Sequence, residues 1–158
     1  MHPALLGQAL RMSSTSAVIP APRSEVWRAL VDVRTYPSWL IGARRIRAVD
    51  DGWPAPGTAF HHVVGIEGVL TIADNTCSVA VDEERRLELD VRARPFIRAT
   101  VVFELDDHPD GTEVRLEEHP IGVHRVLAPL LALPTKARNR ASLDLLAERV
   151  AAGRVPRA

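Results

Sequence analysis

The sequence lacks paired cysteines, a surplus of charge of either sign and any long apolar run. Its one cysteine, Cys77, has no partner for an internal disulfide, and metal sites built from paired thiolates are excluded. Lys and Arg together number 20, as do Asp and Glu, so the formal net charge is zero at pH 7. A dedicated nucleic-acid-binding protein would carry a basic surplus to neutralise phosphates, so we expect no nucleic-acid partner.

The chain also lacks the segments that direct proteins into or across membranes. Its longest strongly apolar stretch, residues 126–133, contains Pro129 and is far shorter than the roughly 20 residues that span a bilayer. Residues 1–12 lack a basic segment followed by an apolar one, so no secretory signal is predicted. We therefore expect a cytoplasmic protein with no stable membrane insertion, in a reducing compartment that suits a single thiol.

What is present is ordinary globular composition, with 46% hydrophobic and 25% charged residues in a chain of 158. That length can bury a sizeable core in one domain, and no internal repeat or low-complexity linker divides it. We interpret residues 1–12 as an N-terminal extension, 13–153 as a single domain and 154–158 as a tail.

The apolar pattern begins with a strand and two short helices. Residues 14–19 are predicted to form a strand that ends at Pro20, because proline lacks the donor that a sheet needs. Pro22 and Glu25 then suit the first turn of a helix with an apolar face. A second short helix is predicted over residues 36–41.

From Arg44 onward the apolar period changes to two, which is typical of strands with one dry face. The parity shifts after Leu70 and Ile72, because Cys77 and Val79 follow the opposite parity, so a β-bulge is predicted near residues 74–75. The other residues expected on the dry face are Ile46, Ala48, Phe60, His62, Val64, Val81, Leu87, Leu89, Val91, Ala93, Ala99, Val101, Phe103, Leu105, Val114 and Leu116.

The C-terminal region is predicted to be helical and divided by Pro129 and Pro134. Its longer piece, residues 135–152, carries an inward stripe of Asn139, Leu143, Leu146 and Val150.

These elements predict an α+β domain in which a curved antiparallel sheet of six or seven strands wraps around the long helix. A helix about 10 Å across cannot fill the concavity of such a sheet, so an apolar cavity for a small hydrophobic molecule is expected. The candidate ligand-binding residues are Trp39, Phe60, Val64, Leu70, Ile72, Leu89, Val91, Phe103, Leu116, Asn139 and Leu143.

Five short motifs, in the same order, resemble those of the START-like, or SRPBCC, superfamily. They are IPAPRSEVW (residues 19–27), YPSW (36–39), PGT (56–58), VDEERRL (81–87) and GTEV (111–114). Glu83 stands where the family usually has proline, which should alter only a turn.

The resemblance implies the helix-grip fold and a hydrophobic-ligand cavity, and within the superfamily the chain looks closest to polyketide cyclase/dehydrase-like and lipid-transfer-like proteins. It does not imply catalysis, because the fold hosts carriers, receptors and cyclases alike.

Four polar residues share parity with the dry face: His62, Asp74, Glu118 and Asn139. A buried carboxylate is costly unless it is paired or protonated, and pairing with His62 would satisfy it. Such a pair could act as a general acid–base couple on a carbonyl-containing ligand, with Asp74 or Glu118 setting the histidine tautomer. The interpretation favoured over catalysis is that these residues form a satisfied buried network or sit at strand ends in water. The favoured functional role is that of polar anchors for a ligand head group.

Other candidates are weaker, and no metal or cofactor is expected. His61 and His62 point to opposite faces of a strand, and His119 and His124 lack an obvious third ligand for zinc. Cys77 is interpreted as a small buried hydrophobe. The arginines expected on the wet face, with an acidic carrier or anionic lipid as alternative partners, are Arg44, Arg45, Arg47, Arg92, Arg94 and Arg98.

Three functions remain open on these residues. The first is binding or transfer of a lipid or polyketide-like ligand, and the second is an aromatase/cyclase-type lyase that uses His62 with Asp74 or Glu118. The third is a regulatory module that acts through its arginine-bearing face. Exposed sheet edges would also permit a homodimer.

Overall fold

The computed structural model describes residues 13–66, 68–95, 97–122 and 124–154, and for 124–134 it describes the helical backbone alone. The predicted extension (1–12) and most of the predicted tail (155–158) lie outside the described residues. In chain order the elements are β1 (Ser13–Ile19), α1 (Arg23–Val31), a 3₁₀ turn (Val33–Thr35), α2 (Tyr36–Trp39), β2 (Ala43–Val49), β3 (Ala59–Ile66), β4 (Leu70–Asp82), β5 (Arg86–Ala93), β6 (Ile97–His108), β7 (Gly111–Pro120) and α3 (His124–Arg154).

The strands of the described residues form one antiparallel sheet in the order β1-β7-β6-β5-β4-β3-β2. Strands β2 to β7 follow one another as hairpins, and β1 joins the sheet beside β7. The sheet therefore has two edges, β1 and β2. The expected α+β helix-grip architecture is confirmed, with two short helices after the first strand and seven strands in the sheet.

Successive hairpins place their turns at alternate ends of the sheet, and the two ends differ. At one end, here the closed end, α1, α2 and the loop between β2 and β3 cover the concave face. The Trp53 indole N–H donates to the Val31 carbonyl at 2.9 Å, and its ring meets Phe60 edge-on at 5.0 Å. The Tyr36 hydroxyl donates to the Leu30 carbonyl at 2.7 Å. Trp53 therefore helps to seal the closed end.

The hydrophobic core fills the closed half of the concave face. It joins the helices α1 and α2 to the predicted inward residues of β5, β6 and β7 and to the C-terminal half of α3. Leu143 and Leu146 of α3 are fully buried, as the helical stripe predicts. Each such leucine stabilises the fold by about 1.5–3 kcal/mol relative to an exposed position.

Strand β2 departs from the predicted alternation. Its inward residues are Ala43, Ile46 and Val49, every third position, whereas Ala48 is exposed. Two irregularities in the pairing with β3 explain this spacing, because each places two β2 residues opposite one partner. The prediction that Ala48 faces the core was therefore wrong.

Strand β4 does contain a bulge, but at a different place from the predicted one. The register shifts between Ser78 and Ala80, so the expectation of a bulge at residues 74–75 was wrong. From Asp74 to Ser78 the inward residues are polar, and Val79 at the bulge is 49% exposed. Cys77 lies on the outer face and is only half-buried, which corrects its interpretation as a buried hydrophobe.

The C-terminal helix is continuous from His124 to Arg154. The predicted division at Pro129 and Pro134 was therefore wrong. A proline removes one backbone donor and bends a helix, yet the turns on either side continue. Among the described residues, no helix combines the length and apolar character needed to cross a bilayer.

Candidate functional site

On β3 and β4, burial of the concave face decreases from the closed end toward the opposite, open end, where the β3–β4 turn lies. Beside the β5–β6 turn, Ala93 and Ala99 stay buried. Val64, Ile72 and Val91 share the concave parity and are only half-buried, and Leu70 is 50% exposed. The side chains of α3 residues 124–134 are outside the described part of the chain. The open half thus presents apolar sheet surface that the described side chains leave incompletely covered.

The predicted ligand-binding residues divide between these two halves. Val64, Leu70 and Ile72 lie in the open half, whereas Val91 is half-buried and packs against the core. The remainder are at most 4% exposed, and all of these except Asn139 belong to the packed core. They are Trp39, Phe60, Leu89, Phe103, Leu116, Asn139 and Leu143.

His62 lies at the boundary between the packed and open halves. It is 3% exposed, and its ring centroid is 5.6 Å from that of Phe60. Its Nε2 and the Thr76 hydroxyl are 3.0 Å apart, its Nδ1 is buried, and the Asn75 backbone lies close enough to the ring to interact with it. Burial lowers the pKa of His62, so the ring is neutral at neutral pH. Thr76 was not predicted as a site residue, because the apolar residues that follow it in β4, Cys77 and Val79, alternate with the opposite parity and so predicted that Thr76 faces outward.

Asp74 lies directly across from His62 in the β3–β4 register. Arg94 holds its carboxylate with two charged hydrogen bonds, from Nη2 at 2.8 Å and from Nε at 3.0 Å. The backbone N–H groups of Arg94 and Asn75 add two more at 2.9 Å each. The hydrogen bonds from Arg94 hold the pKa of Asp74 far below its usual range. Arg94 therefore ties the end of β5 to the inner face of β4, which differs from the outer-face position expected for it.

Glu118 lies on β7, and β6, β5 and β4 separate it from His62 on β3. It accepts two hydrogen bonds from Nη2 of Arg138, at 2.7 and 2.9 Å, and so joins the sheet to α3. Arg138 also contacts Oδ1 of the neighbouring Asn139 at 3.4 Å. Asn139 is 2% exposed, and its Nδ2 has no hydrogen-bond partner.

The expected histidine–carboxylate couple is thus only partly assembled. The register brings Asp74 beside His62 as the parities predict, but each makes its hydrogen bonds to other groups. Glu118 pairs with the helix instead. The arrangement offers a neutral imidazole next to one carboxylate, Asp74, whose charge Arg94 already neutralises.

The outer face carries paired charges. Arg92 and Arg98 share Asp90, with closest separations of 2.6 and 3.6 Å. Such solvent-facing pairs contribute little to stability, typically about 0–1 kcal/mol each. His61 points outward toward Asp50, at 3.6 Å. Within the described residues no three His, Cys, Asp or Glu side chains are grouped as a metal site.

A separate cleft of about 240 Å³ lies outside the sheet, between residues 37–44 and Leu145 of α3. It was not predicted from the sequence. The backbone N–H of Ile41 donates to the Ser142 hydroxyl at 3.1 Å and links the two walls. None of its lining side chains is among the buried groups that lack a partner.

The model of the family described as polyketide cyclase / dehydrase and lipid transport matches residues 12–151. The chain belongs to this family. The match spans the sheet, α1, α2 and nearly all of α3, so the site described above lies within the family domain. Among curated proteins, none is significantly similar to the sequence.

Solved structures similar to this polyketide cyclase/dehydrase-family chain include protein NE0264 from Nitrosomonas europaea, at a TM-score of 0.70 and 21% identity, covering 89% of this chain and 94% of that one. The Zhui aromatase/cyclase from Streptomyces sp. R1128 has a TM-score of 0.67 and 14% sequence identity, and the match covers 87% of this chain and 92% of that one. Ara h 8.0201 has a TM-score of 0.68 and 14% sequence identity, and the match covers 88% of this chain and 96% of that one. At these identities the similarities establish the fold alone.

Proposed function

We propose that this protein binds and transfers a small hydrophobic molecule, lipid or polyketide-like, between the open half of the concave sheet face and α3. The observation that carries the proposal is the incomplete burial of Val64 and Ile72, which pair across β3 and β4 inside the curve of the sheet rather than on its outer face. The family description and the fold support the same kind of ligand.

The driving force is the removal of this apolar surface from water. Covering it is favourable by about 25 cal/mol for each Å². A ligand that enters the open half therefore gains free energy without displacing the packed core, because Leu87, Leu116 and Leu143 already fill the closed half.

Native mass spectrometry of freshly purified protein tests the proposal directly, since a bound molecule appears as an added mass. A thermal-shift screen with fatty acids, phospholipids and bicyclic aromatic compounds then identifies the class. We expect at least one apolar class to raise the melting temperature. Absence of both an added mass and any thermal shift would contradict ligand binding.

A matched pair of variants locates the site. Ile72→Glu places a charge on the concave face and should abolish the thermal shift, because an unpaired carboxylate is costly beside an apolar ligand. Val18→Glu makes the same change on the outer face of β1, where Val18 is 40% exposed, and should leave the shift intact. Equal effects of the two variants would place the ligand elsewhere.

An aromatase/cyclase-type lyase is the second candidate. It is supported by the buried His62 beside Asp74 and by the structural similarity to the Zhui aromatase/cyclase. In this reading His62 transfers a proton at a ligand carbonyl, and the neighbouring Asp74 carboxylate stabilises the imidazolium that forms. His62→Ala should then abolish turnover of a poly-keto substrate while ligand binding survives. Unchanged turnover would eliminate the lyase reading.

A further inference from the structure

The turn between β3 and β4 projects from the open end of the sheet. Ile66 pairs with Leu70 across this turn. The pairing of β2 with β3 stops at Val64, and the pairing of β4 with β5 starts only at Thr76. The described residues of the segment 66–70, here called the tip, are therefore paired with no third strand.

The tip is apolar and exposed. Ile66, Val69 and Leu70 have large hydrophobic side chains at the surface, and Val69 is 78% exposed. Ile97, on the neighbouring β5–β6 turn at the same end, is exposed as well. Four of the seven exposed large apolar side chains in the described part of the chain thus lie on these two turns. Single apolar residues scattered over a surface are ordinary, whereas a group of them marks an interaction site.

The exposed charges on the β5–β6 turn beside the tip are positive. Arg94 and Arg98 flank this turn, and their side chains are 59 and 50% exposed. Their carboxylate partners, Asp74 and Asp90, are only 7 and 16% exposed. The guanidinium groups therefore reach solvent while the carboxylates lie beneath them, so an approaching surface meets the cations first.

The opposite end of the sheet carries charge of the other sign. Each of the three strand turns at the closed end presents an exposed acidic residue, namely Asp51, Glu83 and Asp110. Because the chain has no net charge, the two signs are separated along the strands rather than unequal in number. An anionic surface would attract the open end and repel the closed end, which orients the molecule with the tip forward.

The shape of the tip indicates which anionic surface it fits. A projecting turn is convex, so a protein partner would need a pocket of matching shape to cover it. A bilayer needs no such match, because its interface accepts aliphatic side chains and its anionic head groups attract arginines. So short a turn reaches only the interface, which makes the contact shallow and reversible.

We propose that the open end docks reversibly on bilayers that contain anionic lipids, with Ile66, Val69 and Leu70 in the interface and Arg94 and Arg98 at the head groups. This proposal goes beyond the binding of an interior ligand, because the tip and the arginines lie on the surface. Docking in this orientation places the open half of the concave face next to the lipids. An apolar molecule would then pass between the two without crossing bulk water.

Sedimentation of the full chain with lipid vesicles tests the docking. Vesicles of phosphatidylcholine alone are compared with vesicles that contain about one third phosphatidylglycerol, which supplies the negative surface potential. We expect binding to the anionic vesicles that weakens several-fold at about 1 M salt, where the Debye length falls to about 3 Å. Absence of binding, or equal binding to both kinds of vesicle, would overturn the proposal.

A matched pair of variants tests the apolar contact. Val69→Ser removes apolar surface from the tip without changing the charge, and it should weaken binding to anionic vesicles by up to about tenfold. Val79→Ser makes the same change at the bulge of β4, where the side chain is also exposed, and should leave binding unchanged. Neither replacement disturbs the packed core. Equal effects of the two variants would overturn the role of the tip.

A second pair tests the charges. Arg98→Gln should weaken binding to anionic vesicles about fivefold, because a basic side chain near the membrane surface is lost. Arg28→Gln, at an exposed position of α1 at the closed end, should change nothing. Equal losses would mean that total charge rather than the open end governs binding, which would contradict the proposal.

One acidic residue of the tip segment opposes the positive charge of the arginines. Glu67 follows Ile66 in the sequence and lies outside the described residues. Glu67→Gln should strengthen binding to anionic vesicles several-fold, because it removes a negative charge next to the apolar residues of the tip. Weaker binding of this variant would count against the proposal.

A fluorescent label reports which end of the molecule meets the lipid. In a Cys77→Ser background, the environment-sensitive dye nitrobenzoxadiazole is attached to Val69→Cys at the tip or to Asp110→Cys at the closed end, both of which are exposed. Anionic vesicles should shift the emission to shorter wavelength for Val69→Cys only. A shift for Asp110→Cys alone, or for neither, would overturn the proposed orientation.

Poly-glutamate serves as the probe for an acidic protein partner. Retention of the chain on immobilised poly-glutamate without binding to vesicles would assign the open end to such a partner and overturn the proposal. Failure of vesicle binding would not affect the proposed function, because native mass spectrometry and thermal shifts measure the interior ligand separately.

Discussion

Single residues show how far inward-facing polar groups can be foreseen from a sequence. His62, Asp74, Glu118 and Asn139 were singled out because they share parity with apolar neighbours, and all four do lie on inward faces. Their partners could not be foreseen, because Arg94 and Arg138 come from elements far away in the chain. Thr76 was missed because a threonine between polar neighbours gives no signal of its own.

Asp74 carries a prediction at this scale. Asp74→Asn should lower the free energy of unfolding by about 2 kcal/mol at neutral pH, because charged hydrogen bonds to a buried carboxylate are lost. The pKa of Asp74 is depressed in the folded state, so the stabilisation is present above its usual value of 3.8 and is lost as the pH falls below it. Urea denaturation of both proteins at neutral pH and at successively lower pH measures the difference.

Asp144 provides the control for that prediction. It pairs with Arg140 one turn away, and its side chain is 60% exposed. Asp144→Asn should therefore change the free energy of unfolding by less than about 0.5 kcal/mol. If the free energies of unfolding of wild type and Asp74→Asn differ by the same amount at every pH, the ionised carboxylate is not the source of the stabilisation.

At the scale of elements, regular alternation was a good guide and irregularities were not. Strands β5, β6 and β7 follow the pattern of period two, so their inward residues were predicted correctly. The bulges in β2 and β4 shift the pattern by a residue, and their positions depend on pairing with β3 and β5. Pro129 and Pro134 misled the helix assignment because tertiary context outweighs local propensity.

The hairpin between β6 and β7 yields a second prediction. Gly111 has φ +142°, and a Cβ there would lie 2.1 Å from the Ile19 carbonyl oxygen. Gly111→Ala should therefore lower the free energy of unfolding by about 3 kcal/mol or more, since both strain and a backbone clash must be relieved. Thermal and urea denaturation provide the measurement.

Gly57 separates the clash from the strain. It has φ +89°, but a Cβ there meets nothing within 4 Å. Gly57→Ala should cost only the conformational penalty of about 1 kcal/mol. Equal losses for the two variants would mean that the contact with Ile19 is not what requires glycine at position 111.

For the whole molecule, the order of elements and the amphipathic pattern were enough to predict the architecture. An interior too large for one helix follows from the curvature of the sheet and the width of a helix, and it stays a prediction. Which half of the concave face would be packed was not predictable. That depends on α1, α2 and Trp53 converging at one end, which is a tertiary arrangement without a local signature.

The division into two halves gives a third prediction. Leu87→Ala in the closed half should lower the free energy of unfolding by about 3 kcal/mol, because the residue is fully buried. Ile72→Ala in the open half should lower the free energy of unfolding by about 1 kcal/mol or less and should weaken several-fold the binding of the apolar compound that raises the melting temperature. Calorimetry of both variants measures stability and affinity. A larger loss of stability for Ile72→Ala than for Leu87→Ala would contradict a packed closed half and an open ligand-binding half.

The extra residues of β2 have a consequence for how molecules meet. An unbroken outermost strand is a ready template onto which another chain can add, and aggregation commonly starts there. In β2 the hydrogen-bonding pattern is interrupted twice within Ala43–Val49, and Arg44 and Arg45 are exposed. A strand from another molecule could not form a continuous ladder of hydrogen bonds with β2, and it would have to approach exposed positive charges. This edge of the sheet therefore disfavours self-association.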